Sequence, residues 1–170
     1  MMDAPSFEWI DADTLIWLSR QGVDALRLAE MLPIRSAKGR RAVNGYFEEG
    51  GAGRSFLVFE EAEDLIFWQP ETGELATWNN RAFALGEAAI DNAATYAFGA
   101  NLNILPDPLT WMRSGRDGIV VLDWRFAFDK LRDVPRIAVA EQLLPTYRKF
   151  MKPRRMPSVS VIPAKERMAA

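Results

Sequence analysis

The stretch "DPLTWMRSGRDGIVVLDW", residues 107–124, decides how the chain is read. Asp107 suits the N-cap of a short helix, with Pro108 at its first position and Gly115 as its stop. A turn carrying Arg113, Arg116 and Asp117 follows. "GIVVLDW" is then a continuous β-branched run, the pattern of a strand buried on both faces. Helix, strand and a further helix over "FAFDKLRD" alternate here, which is the mark of a small parallel or mixed sheet.

Working outward, the same alternation continues on both sides. Downstream, "RIAV" reads as a strand and "EQLLPTYRKFM" as a helix bent or begun at Pro145. Upstream, "LNIL" is a short strand, and the Ala-rich "EAAIDNAATYAFG" reads as a helix closed by Gly99. Before Gly86 the signal changes to an antiparallel meander: "SFLVFEE", "DLIFWQ" and "LATWN", with the turn "PETGE" between the last two and "RAFALG" as a further edge strand. Its aromatics, among them Phe56, Phe67, Trp68 and Trp78, are expected to stack between neighbouring strands, with Trp68 and Trp78 facing each other.

"IRSAKGRRAVNGYFEEGGAGRS" reads as a loop-rich connector that could hold a hairpin about Asn44-Gly45. "ADTLIWLSR" has apolar residues at helical spacing, with Asp13 or Thr14 to cap it. After Gly22, "VDALRLAEML" gives a second helix stopped by Pro33. The expected fold is α+β. An N-terminal helical hairpin (12–32), an antiparallel meander (55–86) and a β/α half (87–151) complete one mixed sheet in a single domain over 1–152. A C-terminal extension over 153–170 follows, in which "SVSVI" could serve as an edge strand.

Composition narrows the chemistry. The 170 residues include no Cys and no His. Thiolate nucleophiles, Cys-ligated zinc and an imidazole base are therefore excluded. An acid or base would have to be Asp, Glu, Lys or Tyr, and a metal would need carboxylates and carbonyls. No cofactor is called for. The acidic N-terminal segment lacks a basic n-region and an unbroken apolar run, and no stretch approaches the roughly 20 apolar residues of a membrane span. A cytoplasmic chain with no membrane partner is the expectation.

The formal net charge is −2, but its distribution is uneven. Arg35, Lys38, Arg40 and Arg41 form a basic tract with no acid among them. Arg148, Lys149, Lys152, Arg154 and Arg155 form a second. Together they are candidate nucleic-acid or partner contacts, with Tyr46 or Phe47 available for stacking; a solvated loop is the blander alternative. Glu60, Glu61, Glu63 and Asp64 read as a solvated acidic tip. Asp123, at a strand end, together with Arg113 and Arg116, is a possible phosphate or ligand site, because ligands gather beyond the carboxyl ends of strands. The commoner role for Asp123 is to cap the next helix.

Residues Trp68 to Pro70, Asn80 to Gly86 and Pro108 to Gly118 carry a resemblance. The chain resembles a group of uncharacterised proteins from bacterial phages and mobile elements. They share a Trp-Gln-Pro hairpin, an Asn/Gly-Arg-Ala-Phe-Ala-Leu-Gly segment and a Pro-Leu-x-Trp-Leu-Arg-x-Gly lead-in to a strand, over about residues 55–125. The resemblance implies a gene linked to replication of mobile DNA, some relatives lying near primase-type proteins. It carries no catalytic residue, since the cysteine zinc motif and the acidic metal triad of those enzymes are missing here.

The sequence thus favours a non-catalytic protein that binds nucleic acid or a nucleic-acid-processing protein through its basic tracts. A Mg²⁺-dependent phosphotransfer enzyme using Asp123, and a structural subunit oligomerising through exposed aromatics, are the alternatives.

Overall fold

The structure is a computed structural model, and it describes residues 6–24, 27, 34–153 and 158. The fold is α+β. The second half of the expected helical hairpin, Arg154, Arg155 and most of "SVSVI" lie outside the described residues.

Six strands build the first sheet: β1 (Glu8–Trp9), β2 (Arg35–Arg41), β3 (Phe47–Glu49), β4 (Arg54–Glu60), β5 (Leu65–Trp68) and β6 (Leu75–Thr77). The meander β4-β5-β6 is as the sequence indicates. The connector is not: its basic part is strand β2, antiparallel to β4 on one side and to β1 and β3 on the other. The Asn44-Gly45 hairpin forms, with Gly45 at φ 91° and the Asn44 side chain accepting the Tyr46 amide at 3.2 Å.

This sheet closes on itself. Tyr46 bridges Thr77 of β6, the Thr77 amide donates to the Gly45 carbonyl at 3.2 Å, and Arg41 Nε donates to the Leu75 carbonyl at 2.9 Å. The result is a small barrel filled by Ala37, Phe47, Phe56, Val58, Phe67 and Ala76. Phe47 and Phe67 stack ring on ring at 3.8 Å across it. Alternation along the strands assigns the opposite residues, Leu57, Phe59, Ile66 and Trp68, to a second core outside the barrel. Trp68 and Trp78 therefore do not face each other: Trp68 packs in the outer core and Trp78 against the barrel interior.

Helix α1 (Ala12–Arg20) covers part of the outer face with Leu18 and Trp17. Its N-cap is Asp11 rather than Asp13 or Thr14, the Asp11 carboxylate accepting the Thr14 amide at 2.7 Å. The rest of that face is covered by the β/α half.

That half contains β7 (Ala84–Leu85), β8 (Leu102–Ile104), helix α2 (Pro108–Arg113), β9 (Val120–Val121), helix α3 (Ala127–Leu131), β10 (Ile137–Val139) and helix α4 (Leu144–Phe150). β10 runs parallel to β8, Ile104 bridges Ile119 in parallel, and β9 is antiparallel to β7. These strands make their own small mixed arrangement instead of extending the barrel sheet. "RAFALG" thus contributes β7 to this half and not to the meander. "EAAIDNAATYAFG" is a series of short 3-10 turns, one over 87–89 and a stretch over 93–99 that is kinked at the non-helical Ala97 and Phe98, rather than one helix. Asn92 starts the second by accepting the Ala94 amide at 3.0 Å, which competes with a continuous helix. Asp107 caps α2, and Pro145 opens α4 instead of bending it.

Candidate functional site

Where barrel and β/α half meet, a cleft of about 360 Å³ opens. Among the described residues its apolar wall includes Ile34, Val58, Phe59, Leu85 and Trp111. Its polar groups are Arg35, Glu60, Glu61 and Arg116. Behind Gly86 and Trp111, which line it, the backbone is closely packed. Gly118 has φ 104°, and a Cβ there would lie 2.3 Å from the Asn103 carbonyl. Gly86 has φ 77°, with the Gly118 carbonyl and Trp111 Nε1 against it. Trp111 Nε1 donates to the Gly118 carbonyl at 2.8 Å, so the polar edge of the indole is satisfied.

Glu61 accepts the Gly86 amide at 2.5 Å. Burial pushes its carboxyl pKa up, and the nearby Glu87 carboxylate adds to the rise against the lowering by the Gly86 and Glu87 amides. Arg116 sits with φ 65°, its guanidinium 5.6 Å from the Trp111 ring centre, and burial lowers its pKa. Arg35 lies at the cleft mouth, 4.0 Å from Glu60 and over the rings of Phe7 and Trp9. Trp9 is 70% exposed.

The acidic tip is not uniformly solvated. Asp64 is 4% exposed, and its carboxylate accepts the amides of Leu65, Trp78, Asn79, Arg81 and Ala82. That places the loop leading into β7, and hence one wall of the cleft. Only the spatial reach of one side chain to a loop more than a dozen residues away reveals this; the run of acids by itself does not.

The first basic tract becomes a strand paired on both sides. Lys38, Arg40 and Arg41 are exposed along β2, while Arg35 begins it at the cleft. Arg40 pairs with Glu48 at 2.7 Å. Arg54, opposite Gly39 on β4, adds an exposed cation that sequence reasoning did not single out. Of the second tract, Arg148, Lys149 and Lys152 are exposed in and just after α4, which packs on the 124–126 turn and α3. β2 instead packs on β1, β3 and β4.

Arg113, Arg116 and Asp123 have separate surroundings. The Arg113 Nε–H donates to the Gln21 carbonyl, tying α2 to the end of α1. Arg116 lines the cleft. Asp123 caps the 124–126 turn, accepting the Arg125 amide at 3.0 Å, and holds the Arg125 guanidinium at 2.6 Å. That guanidinium keeps the Asp123 carboxyl below its ordinary pKa. No group of three or more acids among the described residues could hold a metal ion. No helix among them is long and apolar enough to cross a membrane.

Comparison with protein-family models, with curated proteins and with solved structures finds no match to this chain.

Proposed function

We propose that this protein binds nucleic acid without a chemical step of its own, with β2 as the contact track. The observation that carries the reading is the arrangement of one strand. β2 presents Lys38, Arg40 and Arg41 at exposed positions, and its first residue, Arg35, lies beside the exposed indole of Trp9. Cations that follow a phosphate backbone, next to an aromatic face on which a base can stack, are the two elements of sequence-tolerant single-strand binding. Holding the cations on a strand lowers the conformational entropy lost on binding relative to a loop. The link to mobile-DNA replication implied by the resemblance points the same way.

The test is fluorescence anisotropy with a labelled single-stranded oligonucleotide at increasing KCl. Affinity is expected to fall steeply with salt and to fall again in Lys38→Glu, an exposed position whose cross-strand neighbour on β4 is the small Ser55. Binding that ignores either salt or Lys38→Glu overturns the proposal.

A further inference from the structure

We propose that the cleft between the barrel and the β/α half receives one unpaired base of the bound strand. This rests on β2 being the nucleic-acid track. Three features of the cleft select the chemistry.

Its size suits a flat ring of one or two fused cycles and leaves room for its attachment to the chain: the space is about 360 Å³. Its charges are balanced, with Arg35, Glu60, Glu61 and Arg116 in the lining and Arg35 4.0 Å from Glu60. A phosphate entering it would meet two carboxylates, whereas a neutral base meets none of that repulsion. The Trp111 N–H is already used by Gly118 and its indole is buried beneath the planar Arg116 group, so the flat surface that a base would meet is that of the guanidinium. The Glu61 carboxyl provides hydrogen-bonding capacity for an amine or imide edge.

Continuity completes the argument. β2 begins in the cleft wall at Arg35 and carries its exposed cations away from it. Lys38 and Arg40 alternate with the inward Ala37 and Gly39 and so share the outward side of β2, and a strand whose phosphates follow them has one nucleotide at the cleft mouth, beside Trp9. A base inside a duplex is not free to enter, so single strands are preferred over duplexes.

Ala88 lines the cleft and is exposed, so a larger side chain there blocks the opening without a core change. Ala88→Trp is expected to weaken binding of a single-stranded oligonucleotide about tenfold while the salt slope stays as in the parent. The parent protein is also expected to bind an abasic oligonucleotide of equal length about tenfold more weakly than the base-containing one. Equal affinity in either comparison overturns the cleft assignment, and the abasic comparison needs no variant to fold. If Lys38→Glu still weakens binding in that event, the β2 phosphate track stands: parent-like binding by Ala88→Trp removes the base pocket alone, and equal affinity for the abasic strand removes base stacking on Trp9 with it. If Lys38→Glu has no effect, the track itself falls.

Discussion

Asp64 Oδ2 accepts the backbone amide of Arg81 at 2.7 Å, from a carboxylate that is almost wholly out of solvent. The same side chain takes four further amides, so one residue of the β4-β5 turn dictates the path of residues 78–82, including Asn80 at φ 54°. Asp64→Asn keeps the shape but turns an NH₂ toward amides that need an acceptor. It is expected to cost about 3–5 kcal/mol, since each hydrogen bond to a charged group contributes roughly 1.5–3 kcal/mol and buried donors are left unmatched. Urea unfolding followed by circular dichroism reads this directly. A loss under about 1 kcal/mol would show that the loop holds its path without the carboxylate.

Gly118→Ala places a methyl group 2.3 Å from the Asn103 carbonyl, at a backbone φ of 104° that side chains rarely adopt. The backbone and packing penalties together should reach about 2–4 kcal/mol. Thermal melting is expected to shift down by several degrees.

Glu61 gives stability a pH dependence with a definite sign. Its folded-state pKa is raised, so at intermediate pH the folded chain holds a proton that the unfolded chain has released. The cost of ionising it in the cleft is absent below the ordinary carboxylate pKa and complete above the raised one. Glu61→Gln retains an acceptor for the Gly86 amide and removes that ionisation. Urea midpoints of this variant should fall less than those of the parent as pH rises through the carboxylate range; parallel curves would show that Glu61 titrates as it does in the unfolded chain.

Asp123→Asn separates a cap from a site. Asn caps helices about as well as Asp, so folding should change by under about 1 kcal/mol even with the Arg125 ion pair weakened. Oligonucleotide binding is expected to be unchanged. A phosphate-ester turnover that disappears in this variant would instead make Asp123 a reacting group.

Each exposed cation that contacts phosphate adds to the salt slope. Lys38→Ala should flatten the plot of log affinity against log salt by about 0.7 for a single strand. A slope equal to the parent's would remove Lys38 from the contact.

Strands with bulky apolar residues, and the cap at Asp107, were legible in the sequence because the reason for each is local. β2 was not. Its inward positions are Ala37 and Gly39, and a Cβ at Gly39 would lie 2.4 Å from the Phe47 ring, so the apolar half of its alternation is supplied by a neighbour. With no large hydrophobic residue of its own, "RSAKGRR" looks like a loop. The acids near residue 64 misled for the same reason: Asp64 differs from Glu63 only in what the distant 78–82 segment brings to it. The basic tract was visible as charge, but its direction away from the cleft needed the strand. Arg116 was legible as a candidate and Glu61 was not, because burial at the meeting of two halves leaves no mark in either segment alone.

The bridge from Tyr46 to Thr77 has a kinetic consequence. A ring of strands sealed by its first hairpin and its last strand cannot complete until β6 has been made, so the hairpin about Asn44-Gly45 must wait with an incomplete set of neighbours. Contacts of such separation carry a loop-closure cost before they return any burial, which slows the search. Refolding should therefore be limited by that seam, and a substitution at Thr77 should slow the folding limb more than a substitution of similar cost in α4.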